Sequence, residues 1–423
     1  TSLPTTSLPG SGSAGCCRGP SGIVATWIST RRAGGYGRGV EAMPEEKTLF
    51  DNLPADLVEE VIKHTTAVGD KLIDSFQKMR EERESYRALL EKSGLLLHES
   101  ELGYPPLPTT CGADGSYAIE RLLTVDLVAA ASVVVEGLVP PSEKRFWGQP
   151  RHLVFVESEP HHPDTATVLR AMMMGGEVLL AAKAPHDLVM FDGTLTLPLI
   201  YFNQAVNKAP EVAELKCAQE FLNRAAEYLE AYAEMLQSRR SDKIFIGTPK
   251  YTTRAEIGRQ LGWAPGMDDR GMLTHLLKAG ELTRPMPLEP PQYEWHLNVR
   301  PLRQMAPGVE RTAETILRGL QQLQVFYYKP HEHVPALRIE TAASVAANKH
   351  RLAVLLQGIK HQCATAAMLE PYPLYLADRM VKALARSIPT FRQVATQRVA
   401  EHYTGDIEEV FFALHGYRSE SGR

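Results

Sequence analysis

The chain has 423 residues, 44% of them hydrophobic and 23% charged, a composition that argues against general disorder and supplies one large domain or two modest ones. A formal net charge of -4 gives no bulk sign of nucleic-acid affinity, so any contact with a phosphate backbone needs a local basic surface. The five cysteines (Cys16, Cys17, Cys111, Cys217, Cys363) are odd in number and scattered, with no Cys-x-x-Cys pair and no zinc spacing, which fits a reducing cytoplasm.

Residues 1–42 are rich in Gly, Ser, Thr and Arg and lack helical periodicity. The apolar run Gly22 to Ile28 is too short and too poorly flanked for a secretory signal, so the segment is expected to be disordered or a non-native extension that ends before Met43. Residues 43–100 carry a long amphipathic helix from about Asp56 to Lys92, with Leu57, Val61, Val68, Leu72, Phe76 and Met79 on one face. That face suits either packing on its own domain or an arm for a dimer or partner. Residues 101–415 read as the main domain and 416–423 as a tail.

After the link Tyr104-Pro105-Pro106-Leu107-Pro108 come candidate strands around Asp114, at Ile119 to Leu127, at Ala129 to Leu138 and at Arg151 to Glu157. Their short connections argue for antiparallel hairpins. The stretch Leu127 to Val139 is interrupted by Glu136 and rich in β-branched residues, so it reads as strand and no membrane span is expected. A helix follows at Thr165 to Ala182, then a strand at Asp187 to Phe191, a helix at Pro210 to Gln237 and a strand at Lys243 to Gly247. Runs at Gln324 to Tyr328 and Ala336 to Ile339 extend the sheet, and the last 80 or so residues are helical from near Ala343. Strands, then a helix, then a strand ending in aspartate is the layout of an α/β, RNase H-like mixed sheet flanked by helices, here with a long N-terminal helix and a C-terminal helical region.

Two apolar runs end in Asp-Gly: Asp114-Gly115 and Asp192-Gly193. A carboxylate where a buried strand meets solvent, followed by a glycine that lets the backbone turn, suits a site for hard divalent cations such as a metal-dependent nuclease uses. Two-metal phosphodiester hydrolysis needs three or four such ligands converging on ions about 3.5 to 4 Å apart. Glu177 is the best-placed third acid, because Met173, Met174, Val178, Leu179 and Leu180 around it would make an unpaired charge costly. Glu157, Glu159 and Asp164 are the substitutes. Asp378 in Glu370-Pro371-Tyr372-Pro373-Leu374-Tyr375-Leu376-Ala377-Asp378 is a fourth candidate, whereas Asp268 and Asp269 read as a helix N-cap.

Lys250 follows an apolar strand and suits a scissile phosphate. Around it Arg239, Arg240, Lys243, Arg254 and Arg259 form a local basic excess that would track a DNA strand, Arg254 among them, and Tyr372 could stack on a base.

These residues resemble the NurA nuclease family over about residues 50–415. Asp114-Gly115-Ser116 looks like its first-strand motif, Asp187 to Leu195 like its later "DLVLLDGSL" strand, Leu337-Arg338-Ile339-Glu340 like its "RIE" strand and Tyr372-Pro373 to Ala377-Asp378 like its closing segment. The resemblance implies an RNase H-like fold and Mn²⁺-dependent cleavage of DNA, with Mg²⁺ as the other ion. It also implies a homodimer and docking to a HerA-type hexameric ATPase in DNA end resection and break repair, by 5'-3' exonuclease or single-strand endonuclease action. Carried over by position, Asp114, Glu177 and Asp192 would be metal ligands, with Asp378 near or on the second metal and Lys250 beside them. The competing readings are a catalytically silent scaffold of this fold that binds an ATPase, and an ATP-binding protein of the actin and sugar-kinase type, which would need a Gly-rich adenosine loop that the sequence after residue 250 lacks.

Overall fold

The computed structural model describes residues 53–252, 254–263 and 267–422. The expectations for residues 1–42, with Cys16 and Cys17, lie outside the described residues. The chain divides into two units after Ser75. From Ala55 on, the described residues of the first unit belong to helix α1 (Ala55–Lys92), on which Leu57, Val61, Val68 and Leu72 are exposed. In the second unit Met79, Tyr86 and Leu90 on the same helix pack with Trp263, Leu273 and Tyr327.

In the second unit a central run of strands builds the RNase H-like layout. β2 (Thr110–Leu122), β3 (Asp126–Glu136) and β4 (Arg151–Glu159) form an antiparallel meander. Helix α2 (Thr165–Lys183) crosses to β5 (Leu188–Phe191), which pairs parallel with β2 and with β6 (Ile244–Gly247). Between these strands come α3 (Leu197–Lys208) and α4 (Lys216–Gln237), and after β6 the short helices α5 (Glu256–Leu261) and α6 (Asp269–Leu276). The sheet continues antiparallel through β10 (Leu337–Ala342), β9 (Leu323–Tyr328), β7 (Glu281–Thr283) and β1 (Leu96–His98), while β8 (Met286–Pro287) pairs beside β9. Helix α7 (Val309–Gln321) precedes β9, and α8 (Ala343–Ala346), α9 (Lys349–Gln362), α10 (Tyr372–Arg386), α11 (Ile388–His402) and α12 (Ile407–Ala413) close the chain. Residues 416–423, set apart as a tail by their sequence, include an eleventh strand, β11 (Gly416–Gly422), antiparallel to β2.

Strand alternation sorts the core into two faces. Val189, Phe191 and Phe245 point to a cluster built on α2, α3 and α4, whereas Leu188, Met190, Ile244 and Ile246 point to one built on α9 and α10. The first face explains the unusual glycine pair inside α2. A Cβ on Gly175 would enter the Tyr228 ring of α4, and one on Gly176 would enter Ser132 of β3, whose hydroxyl donates to the Met173 carbonyl at 2.6 Å. Helix α2 is long and apolar enough to cross a membrane, but it is a core helix, mostly buried inside this fold.

Among the element boundaries that differ from the sequence reading, two have a visible physical cause. The expected strand Ile119 to Leu127 straddles a hairpin: β2 runs unbroken through Asp114 to Leu122, and the Leu122 amide donates to the Val125 carbonyl at 2.9 Å to close the turn. Leu123-Thr124-Val125 carries no Gly, Pro, Asn or Asp, so no turn signal marks it. The expected helix Pro210 to Gln237 begins instead at Lys216, after a 3-10 turn at Ala209–Val212, because Glu159 of β4 caps α4 by accepting from the Lys216 and Cys217 amides at 3.0 and 2.7 Å.

Candidate metal centre at the carboxyl ends of the parallel strands

Asp114 is not at the end of its own strand; it is where its parallel neighbour stops. The β2 to β5 pairing ends at Ala113 opposite Phe191, and the β5 to β6 pairing ends at Phe191 opposite Gly247. Asp114 and Asp192 therefore follow the last paired residues of adjacent strands, and Lys250 lies three residues past the third. The Asp192 amide donates to the Ala113 carbonyl at 3.3 Å, which holds the two aspartates side by side. This is the carboxyl edge of parallel strands, the usual place for a ligand in an open α/β sheet.

Alternation also decides which helix completes the group. Asp114 shares a face with Gly112, and Asp192 shares one with Leu188 and Met190, so both aspartates point to the α10 side. A Cβ on Gly112 would come within 2.8 Å of the Leu374 amide and the Pro373 carbonyl carbon, so only glycine lets the first turn of α10 seat on β2. That seating brings Asp378 in. Carboxylate oxygens of Asp114, Asp192 and Asp378 all lie within 4.8 Å of one another.

Glu177 comes from the opposite face. It is 3% exposed and its carboxylate rests against Gly115, at a point that any side chain on Gly115 would fill. It lines, with Asp114, Asp192, Met173, Met174, Leu197, Pro249 and Lys250, a cavity of about 230 Å³. The four acids read from the sequence thus border one site, three in a tight group and Glu177 across the sheet edge.

Lys250 ties the acids together. Its ammonium lies 2.8 Å from Asp192, 2.9 Å from Glu370 and 3.7 Å from Asp378, and Lys382 reaches Asp378 at 2.9 Å. Burial works against the Lys250 charge, but the Asp192 and Glu370 carboxylates outweigh it and hold its pKa above the ordinary lysine range. Glu370 did not stand out in the sequence; its signal was its place just before the Pro371-Tyr372-Pro373 helix start. Arg270 fixes the loop by donating to the Lys250 carbonyl.

The turn that carries Asp192 is clamped by a second charged group. Gly193 takes φ +131°, a conformation that side chains other than glycine rarely adopt. Glu340 of β10, 1% exposed, accepts from the Thr194 hydroxyl at 2.6 Å and the Leu195 amide at 2.9 Å. Its other oxygen accepts from Arg338 at 3.2 Å, and Arg338 pairs with both oxygens of Glu256 at 2.7 and 2.8 Å and donates to the Tyr327 hydroxyl at 2.9 Å. Tyr232 donates to the Leu195 carbonyl at 2.6 Å. The Arg-x-Glu of β10 is therefore a support for the Asp192 turn.

Other candidates are engaged elsewhere. Glu157 pairs with Lys216 at 2.6 Å, Glu159 caps α4, and Asp164 sits at the start of α2. Arg240 pairs with Asp242, Arg259 with Glu289 at 2.5 Å, and Arg254 donates to the Glu289 carbonyl. Lys243 is buried at the amino end of β6, the end away from Lys250, where it donates to the Ala182 carbonyl. The anticipated basic cluster is thus largely spent on protein partners. Tyr372 is half-buried at the first residue of α10. Asp268 does cap α6, accepting from the Gly271 amide at 2.8 Å. Asp269 instead accepts from the Ile257 and Gly258 amides, and burial pushes its carboxyl up to about 6.

All the converging donors are carboxylate oxygens, a set that suits Mg²⁺ or Mn²⁺ better than zinc. No family model and no curated protein matches the chain. Among solved structures it resembles the NurA nuclease from Sulfolobus solfataricus, at 10% identity over 82% of this chain and 99% of that one, with a TM-score of 0.51. A further NurA structure aligns at 12% identity over 82% of this chain and 99% of that one, with a TM-score of 0.48. A structure of NurA bound to dAMP and manganese aligns at 12% identity over 76% and 93%, with a TM-score of 0.44. The chain has the fold of the NurA nuclease: an RNase H-like mixed sheet flanked by helices.

Proposed function

We propose that this protein is a metal-dependent nuclease that hydrolyses phosphodiester bonds of DNA. The observation that carries the reading is the convergence of Asp114, Asp192 and Asp378 within 4.8 Å at the carboxyl edge of the parallel strands. In this reading these three acids hold a divalent cation, Mn²⁺ or Mg²⁺, and Glu177 faces it across the cavity. When bound, such an ion supplies Lewis acidity toward a phosphoryl oxygen and lowers the pKa of water.

The chain's own residues do the rest. Lys250, which now bridges Asp192, Glu370 and Asp378, gives a positive charge at the cavity wall to meet the scissile phosphate once a cation shares those carboxylates. Met173, Met174 and Leu197 make that wall apolar and limit water. The resemblance of the sequence motifs extends the proposal to a homodimer acting with a HerA-type hexameric ATPase in DNA end resection. The free, buried Cys111, Cys217 and Cys363 fit a reducing cytoplasm.

The test is degradation of end-labelled single- and double-stranded DNA with Mn²⁺, Mg²⁺ or EDTA, beside Asp114→Ala and Asp192→Ala. Cleavage that needs metal and is lost in both variants is the expected result. A wild-type chain inert with every metal, even with a HerA-type ATPase added, replaces the nuclease with a scaffold of the same fold.

A further inference from the structure

The cavity wall continues along two packed helices, and the next residues on each are an arginine and a tyrosine. On α2 the lining residues are Met173, Met174 and Glu177, and one turn toward the amino end the same face presents Arg170. On α3 the lining residue is Leu197, and one turn on is Tyr201. Helices α2 and α3 pack together, and the Tyr201 hydroxyl feels the charges of both Arg170 and Glu177. Arg170 and Tyr201 therefore border the same strip leading away from the acids.

Arg170 is held but not neutralised. Its guanidinium donates to the Tyr117 hydroxyl at 3.0 and 3.2 Å and lies 5.4 Å from the centre of that ring. Among the described residues it makes no ion pair, whereas Arg87, Arg338 and Arg392 in the same unit each engage a carboxylate. A tyrosine hydroxyl fixes the plane of the guanidinium and leaves its other N–H donors for an anion. Arg170 lies about 10 Å along α2 from Glu177. At about 3.4 Å per stacked nucleotide that is a reach of about three nucleotides.

The geometry points to Arg170, oriented by Tyr117 and flanked by Tyr201, as a backbone-phosphate subsite for a single nucleic-acid strand about three nucleotides from the acid group. The inference rests on the nuclease reading and gives it a direction: the strand leaves the cavity along the α2–α3 strip. It also replaces the basic cluster on either side of β6 as the place where the backbone is gripped.

The experiment is fluorescence anisotropy of a labelled oligothymidylate with the full chain in EDTA, between about 50 and 200 mM salt. Arg170→Gln keeps a donor for Tyr117 and removes the charge. Its binding is expected to fall about tenfold, and the slope of log affinity against log salt to shrink by about 0.7, the value for one single-strand phosphate contact. Arg170→Lys is expected to restore the slope, which a merely structural role would not do. If Arg170→Gln unfolds, Arg170→Lys and Tyr117→Phe carry the test, the lysine keeping the wild-type slope and the phenylalanine losing affinity without a change of slope. Wild-type affinity and slope in a folded Arg170→Gln, while the wild-type chain cleaves DNA, overturns the subsite alone. Failure of the wild-type chain both to bind the oligonucleotide and to cleave overturns the nuclease reading with it.

Discussion

Two groups of buried charge lie along the same sheet, and they are finished in opposite ways. Around Arg338 one guanidinium meets Glu256, Glu340 and the Tyr327 hydroxyl, and the remaining Glu340 oxygen takes the Thr194 and Leu195 donors. At the site, Asp114, Glu177, Asp192, Glu370 and Asp378 stand against Lys250 and Lys382, five carboxylates to two ammonium groups, beside a cavity. The closed group can only hold geometry. The open one concentrates negative charge where a cation can enter, and it depends on the closed one because Glu340 belongs to both the clamp and the Asp192 turn.

Removing the centre of the closed group should have the largest effect. Arg338→Ala strands Glu256 and Glu340 in the core and is expected to cost about 3–5 kcal/mol of stability, read by urea denaturation. A loss below about 1 kcal/mol would mean that the two groups are not different in kind. At the open group the same kind of change should act in reverse: Asp114→Asn removes one of five carboxylates gathered beside two ammonium groups, so the metal-free variant should be at least as stable as wild type. Wild type should gain about 2.7 kcal/mol from Mn²⁺ at 100 times its dissociation constant, reversed by EDTA, and Asp114→Asn should lose that gain in a thermal melt.

The clamp between the groups should give an intermediate result. Glu340→Gln keeps the shape but loses the charge-assisted bonds to Thr194 and Leu195, and is expected to weaken Mn²⁺ about 10- to 100-fold, measured by calorimetry. Affinity equal to wild type would separate the turn from the clamp. The smallest effect is in pH. Burial raises the Glu256 pKa, but the Arg338 bond and charge outweigh it and hold the carboxyl below the ordinary glutamate range. Its contribution to stability is therefore present above the unfolded pKa and is lost as pH falls through the folded one. Glu256→Gln should flatten the acid limb of a stability–pH curve, and an unchanged limb would remove Glu256 from the account.

The depth at which each part of the site was legible follows its chemistry. Asp114 and Asp192 announced themselves because a charge closing an apolar run, followed by glycine, needs a reason to be there. Lys250 was visible because it follows an apolar strand, three residues after β6. The basic run from Arg239 to Arg259 was misleading, since composition counts charges and does not show that Lys243 is buried or that Arg240 and Arg259 already have carboxylates. Arg170 carried no local signal, Glu370 only its place before a helix start and Glu340 only the Arg-x-Glu pattern of its strand, because what gives each its role is a partner dozens or hundreds of residues away.

By itself the sequence marked the strands from β2 to β6, β9 and β10 and the helices α2 and α4, through the periods of its apolar residues, and the acids at the strand ends, but not β1, α3, β7, β8 or α7. Which acids meet was decided only in three dimensions. Strand alternation turns Asp114 and Asp192 toward α10, the bare backbone of Gly112 admits the first turn of that helix, and Gly175 and Gly176 let α2 press against α4 and β3 so that Glu177 arrives on the other face. Close packing between distant segments sets those approaches, and no local pattern of residues encodes it.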